Sequence, residues 1–230
     1  MNPIKRIFTW YSEASRSKRR QIFREYFEID ETTKILDLGS EDGSNIARVI
    51  EGSPIVSKNV YVADIESDAV KNVSETYGFT SVVLREGDPL PFEDGFFDIV
   101  YCSSVLEHVT IPKSEIWELR SGREFRSRSL VSQEIFANEI KRVGKQYFIQ
   151  TPCRTFLLES HSWLPIAGML PREVMVPLFS LTNKVWVKGT VPDFYLLSSN
   201  ELRSFFPDAE IVRERSFGLT KSFMAIRANK

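Results

Sequence analysis

Asp37, Gly39 and Gly43 stand in the stretch KILDLGSEDGS, residues 34–44, directly after the apolar residues Ile35 and Leu36. An acid followed by a glycine turn can hold a polar ligand against the backbone. Glycine takes positive φ there and has no Cβ to keep the ligand away. A helix predicted to begin at Ser44 would aim its free N–H groups at the same place. The pattern is of nucleotide type, but it is not the dinucleotide fingerprint G-x-G-x-x-G. In that register the second and third glycine positions hold Glu41 and Ser44. Asp64 lies 25 residues beyond Gly39. An acid ending the second strand of an α/β nucleotide fold accepts from ribose hydroxyls; the plainer reading is an acid favouring the dipole of the following helix. A third candidate group is Glu159 with His161. An imidazole can take a hydroxyl proton near neutral pH, with Glu159 orienting it or touching substrate. A loop histidine bonded to backbone is the alternative.

The elements that must position these residues alternate. Residues 4–28 read as a helix with an apolar stripe of Ile22, Phe23, Tyr26 and Phe27, and Arg16 to Arg20 on the other faces. It can pack on the domain, lie on a membrane surface, or cover a ligand with Trp10 and Tyr11; packing is favoured. Strands are predicted at Ile35–Leu38, Val60–Ala63, Val82–Leu84, Phe96–Tyr101 and Gln146–Gln150, with helices at 44–50 and 67–77. Residues 111–145 read as two helices joined by a polar link, Arg120 to Ser129. The second of them is expected to bury Val131, Ile135, Ile140 and Val143. Strands alternating with helices predict a parallel sheet covered on both faces, with ligands at the carboxyl ends of its strands.

The first turn is followed by Gly87-Asp88, Leu90-Pro91-Phe92, Phe97-Asp98-Ile99-Val100 and Val105-Leu106-Glu107-His108-Val109. In order and spacing this set resembles the motifs of small-molecule, type 11-like class I S-adenosylmethionine (SAM) methyltransferases, over about residues 33 to 151. Farther on, Thr151-Pro152-x-Arg154 with Glu159-x-His161 resembles a Thr-Pro-Asn-Arg and Glu-x-His signature of one subgroup, with Cys153 at the asparagine position. The resemblance implies a Rossmann-like, seven-stranded, mostly parallel sheet with helices on both faces. Residues 1–230 form a single domain in that scheme. Residues 1–30 are an N-terminal helical extension, residues 152–194 an insertion after the fifth strand that caps the substrate, and 210–217 with 222–227 a closing antiparallel pair.

SAM is the implied cofactor. Asp37, Gly39, Ser40, Gly43 and Ser103 would surround its methionine part, Asp64 its ribose, Ile65 and Pro89 its adenine ring, and Asp88 the adenine amine. His161 and Glu159 would be catalytic, with no metal. The implied activity is methyl transfer to a small-molecule acceptor, a hydroxyl in the first instance. The rival expectations are a SAM- or SAH-binding partner subunit without activity, and an RNA or protein methyltransferase. The amino-methylating Asn/Asp-Pro-Pro-aromatic motif is absent after the fourth strand, where Cys102-Ser103-Ser104-Val105 stands. Glu41 departs from the pattern, which has a second glycine there. If that backbone needs positive φ, a side chain costs about 1–2 kcal/mol.

Composition bounds the rest. Hydrophobic residues make up 42% and charged residues 27%, as in a globular domain. No apolar run reaches the roughly 18–20 residues of a membrane span. Two cysteines outside any C-x-x-C, Cys102 and Cys153, suggest free thiols in a reducing compartment, expected to be cytoplasmic. The acids concentrate in residues 31–110, and the flanks are each net positive. This argues against nucleic acid as a partner and permits an anionic group on the substrate. The apolar stripe of the insertion, from Trp163 to Phe179, fits an apolar substrate, a peripheral membrane contact or a second subunit, with core packing as the default. His108 beside Glu107 gives a weak divalent-metal signal, and a structural hydrogen bond is the favoured reading. The oligomeric state is left open.

Overall fold

The computed structural model describes residues 3–39, 41–65, 67–156, 162–164, 167–186 and 188–229. The strands are β1 (Ile35–Leu38), β2 (Val60–Asp64), β3 (Thr80–Val83), β4 (Phe97–Ser103), β5 (Gly144–Pro152), β6 (Glu210–Ser216) and β7 (Leu219–Arg227). They form one sheet in the order β3-β2-β1-β4-β5-β7-β6. The first five are parallel; β7 runs antiparallel to both β5 and β6. The Rossmann-like seven-stranded sheet expected from the sequence is therefore present.

Successive strand residues point to opposite faces, and both faces are apolar. Leu36, Leu38, Val100 and Ile149 pack on one face against helices α5 (Gly122–Val143) and α7 (Ser199–Phe205). Ile35, Val62, Ile99 and Phe148 pack on the other. That face is covered by α1 (Pro3–Tyr26), α2 (Ser44–Val49), α3 (Ser67–Val70) and α4 (Val73–Tyr77). This is why the central strands read as continuous hydrophobic runs. Helix α1 is pinned by Phe23, whose ring meets Tyr101 and Phe148 edge-on at 5.5 and 5.6 Å.

Several expectations are corrected. The polar link at residues 120–129 is the first two turns of α5, started by Ser121, whose side chain accepts from Glu124 N–H. Val131 and Ile135 are 57% and 61% exposed rather than buried. Ile140 and Val143 are buried as expected, and the inner face of α5 also carries Phe125, Ser129, Gln133 and Ala137. Gln133 can be buried because its amide donates to the carbonyls of Leu106 and Tyr195, each at 3.0 Å. The helix predicted over 67–77 is two short helices, and Leu219 to Lys221 belong to β7. Helix α5 runs into β5 with no residue between them. Gly144 is at this junction, where a Cβ would lie 2.6 Å from Val100 Cγ2.

The segment after β5 carries α6 (Arg172–Thr182) and a small core of its own, Ala167, Met175, Phe179, Phe194 and Leu196. Arg172 anchors it. The buried guanidinium donates to the carbonyls of Leu119 and Pro192 at 2.7 and 2.6 Å and stacks 3.6 Å over Phe125. Core packing thus accounts for Met175, Val176 and Phe179, whereas Met169 and Val174 are exposed.

Candidate functional site

The site grows from the turn after β1. Gly39 has φ +77° and donates its N–H to Ala63 O at 2.8 Å. A Cβ at Gly39 would fall 2.5 Å from Val105 Cγ1. Glu41 has φ 60°, so the backbone there does take the left-handed conformation for which glycine is the cheaper residue. Its N–H donates to Asp64 Oδ2 at 3.0 Å. Gly43 closes the turn at φ +70° and caps α2. Three left-handed residues within five thus fold the chain back over the carboxyl ends of β1 and β2, and the Asp64 carboxylate at the end of β2 holds them. Asp37 is fully buried. Burial pushes the Tyr101 phenol up, and the Asp37 charge adds to this. Burial likewise raises the Cys102 thiol well above its usual value, with help from Glu107 and then Asp37.

A second wall is built by side chains from distant parts of the chain. The register sets Ser103 of β4 beside Gln150 of β5, and Ser222 of β7 beside both Pro152 and Glu214. Because β7 is antiparallel, its first residues meet the last residues of β5 and β6, at the end of the sheet where β4 also finishes. Gln150 Oε1 accepts from Ser103 Oγ at 2.8 Å, from Ser104 Oγ at 3.0 Å and from Arg19 Nη1. Arg19 also donates to Ser103 Oγ at 3.2 Å and lies 3.8 Å from the buried Glu214 carboxylate. Lys221 donates to Ser15 Oγ and sits 4.3 Å over the Tyr11 ring. Burial lowers its ammonium to a pKa of about 8. Tyr11 in turn donates to Ser216 Oγ at 2.7 Å.

Between the two walls lies a cavity of about 510 Å³, within the range of small-molecule sites. Gly39, Glu41 and Ser44 line it from the turn, and Tyr11, Arg19, Ser103, Gln150 and Lys221 from the other wall. His108 also lines it, its Nδ1 3.1 Å from Asp193 Oδ1, the hydrogen-bonding role expected of it.

The sequence-predicted residues are thus divided. Gly39 and Ser103 meet at the cavity. Asp37 and Gly43 lie in the same turn, with Asp37 buried beneath it. Asp64 is buried behind Glu41, and its neighbour Ile65 is 41% exposed. Asp88 and Pro89 are exposed in the loop after β3. Neither these two nor Asp64 and Ile65 belong to the cavity wall. Ser40, Glu159 and His161 lie outside the described residues. Of the two cover residues considered on α1, Tyr11 lines the cavity; Trp10 is 71% exposed and does not. No cluster of three or more metal-binding side chains occurs among the described residues. No helix among them is long and apolar enough to cross a membrane.

Sequence reasoning missed Arg19, Gln150, Glu214 and Lys221. One signal was present: residues 11, 12, 15, 16 and 19 recur at helical spacing as a polar stripe beside the apolar one.

Residues 36–121, which hold the first turn and Ser103, match the family model described as a methyltransferase domain. The fold around the domain agrees. Magnesium protoporphyrin IX methyltransferase (ChlM) from Synechocystis PCC 6803 with bound SAH aligns at TM-score 0.56 and 13% identity, over 99% of this chain and 89% of that one. The same enzyme with bound SAM aligns at 0.54 and 12%, over 99% and 85%. A chain of the complex of the Haloferax volcanii Trm112 methyltransferase activator aligns at 0.55 and 13%, over 94% and 90%. Identities this low speak for the fold alone, a Rossmann-like methyltransferase fold. No curated protein matches the sequence of this chain.

Proposed function

We propose that the chain binds SAM over the turn at residues 37–43 and methylates a small-molecule acceptor, with a hydroxyl oxygen as nucleophile. The observation that carries this is the left-handed turn itself. Asp64 holds it within the matched stretch, and it opens on a cavity at the strand ends. The residues present suit the ligand: a buried acid at Asp37 fits an ammonium group, and a second acid at Asp64 fits ribose hydroxyls. Gly39, Ser40, Gly43 and Ser103 would complete the methionine end. Ile65, Asp88 and Pro89 would hold adenine beyond the cavity described, at its exposed edge.

When bound, the sulfonium supplies an electrophilic methyl group. The chain's own part would be to fix the acceptor oxygen in line with it and to exclude water, the role we assign to α1 and the segment at 152–194. His161 would take the hydroxyl proton and Glu159 would orient the imidazole.

Calorimetric titration with SAH tests the reading. Saturable binding is expected, weakened about tenfold or more by Asp64→Asn, which loses a charged acceptor; an absence of heat with SAH and with SAM would refute it. His161→Asn should leave SAH binding intact and slow methyl transfer by roughly 10²–10⁴. Binding with no transfer to any acceptor would instead favour a cofactor-binding partner subunit.

A further inference from the structure

A second cavity of about 580 Å³ opens between the first turns of α5 and α6. Its walls combine the apolar side chains Phe125, Leu130, Leu170, Met175, Phe194 and Tyr195 with four arginines, Arg123, Arg126, Arg154 and Arg172. Arg154, Gly168 and Leu196 belong to the walls of both cavities, so the two chambers meet at these residues.

The cations near this waist differ in what already engages them. Arg19 is held by Gln150, Ser103 and Glu214. Lys221 is held by Ser15 and the Tyr11 ring. Arg126 donates to Tyr195 Oη and Glu201 at 2.8 and 2.9 Å, and Arg172 is used on backbone carbonyls. Arg123 and Arg154 are exposed, and neither makes a hydrogen bond or ion pair with any described residue; of the two, Arg154 borders both chambers and Arg123 only the second. Lys188, 4.9 Å over the Trp163 ring, adds positive charge to the first chamber. Among the described residues, the one acid lining the second chamber is Glu173, whose carboxylate accepts Gly122 N–H at 2.7 Å at the start of α5.

We propose that the acceptor is an amphipathic anion: Arg154 binds its carboxylate or phosphate at the waist, and its apolar body fills the second chamber. The word acceptor rests on the methyltransferase reading; the anion site does not. A guanidinium matches a planar or tetrahedral oxyanion through paired N–H donors. The apolar walls would gain from each methylene removed from water. The first chamber is left for the end of the molecule that meets the turn.

The test is calorimetry on the full chain with straight-chain probes below their micelle concentrations: butanoate to decanoate, decyl phosphate and decanol. Affinity should rise with chain length, and either ten-carbon anion should bind about tenfold or more tighter than decanol. Arg154→Gln should remove that tenfold preference while decanol and SAH binding stay unchanged. Arg154→Lys should restore part of it. Ser127→Trp places a ring in the second chamber from an exposed position on α5. It should abolish the gain from butanoate to decanoate without touching SAH binding. Equal affinity for decanol and the anions, or an Arg154→Gln protein that binds decanoate as before, overturns the proposal. Loss of SAH binding with decanoate binding kept would count against the cofactor reading and leave the anion site standing.

Discussion

The two walls of the first cavity are made by different means. The wall at residues 37–43 is backbone: three left-handed residues, an N–H on a carboxylate, and a glycine against a valine. The wall opposite is side chain, tied across distances in sequence such as Tyr11 to Ser216 and Ser15 to Lys221. The first has one geometry or none. The second can be edited residue by residue. The backbone wall is therefore the place to hold a constant ligand, and the side-chain wall the place to change an acceptor.

The sharpest way to break this contrast is Gly39→Ala. The new Cβ would meet Val105 within 3 Å at a φ that disfavours any side chain. A loss of about 3–4 kcal/mol is expected from overpacking and strain together, read by urea unfolding. Gly52→Ala is the control. Its φ is +80° but nothing lies within 4 Å, so only about 1–2 kcal/mol should be lost. Equal losses at both positions would show that the backbone wall is not specially tight. On the opposite wall, Arg19→Met should cost less, about 2 kcal/mol, because it removes one of three donors to Gln150 Oε1 and the ion pair to the buried Glu214 but strains no backbone. Its mark should fall on the amides of α1, which would exchange faster while those of β1 and β4 do not.

Glu41→Gly should stabilise the chain by about 1 kcal/mol, since the observed φ suits glycine. A null or negative result would mean that the Glu41 side chain does more than occupy a turn. The smallest effect concerns Lys221. Its ammonium is charged below a pKa of about 8 and neutral above it. Binding of decanoate should therefore weaken by about threefold as pH rises from 7 to 9, one charge in a partly wet site. Stability should move the other way. The unfolded chain keeps the lysine proton up to its ordinary value of 10.5, while the folded chain sheds it earlier, so stability grows between about pH 8 and 10.5. Lys221→Met should flatten both curves.

The contrast also explains what was legible in the sequence. The sheet could be read because Ile35, Leu36, Val60, Val62, Ile99 and Val100 are buried whichever face they take, so a plain apolar run marks each strand. The turn could be read because glycine and an acid at a strand end have few other uses. Helix α5 was misjudged because its inner face holds Ser129 and Gln133, polar residues whose burial depends on carbonyls that only the fold supplies. Val131 and Ile135 looked like core by type and lie outside. Arg19, Gln150, Glu214 and Lys221 were missed for a related reason. Each is an ordinary surface residue until the fold gathers them: β5 pairs beside β4, β7 returns antiparallel between β5 and β6, and α1 lays Arg19 against Gln150 and Glu214. Composition cannot announce a pairing between residues 19, 150, 214 and 221.

The seam where Val143 passes into Gly144 has no slack. Removing or adding one residue there would shift the phase of β5 by half a period, sending Tyr147 and Ile149 to the face that Phe148 now occupies. It would also rotate Gln150 away from the mouth of the cavity. Length changes that the loops at 104–121 or 183–198 could absorb should therefore be lethal to the sheet at this one seam, which acts as the chain's timing mark.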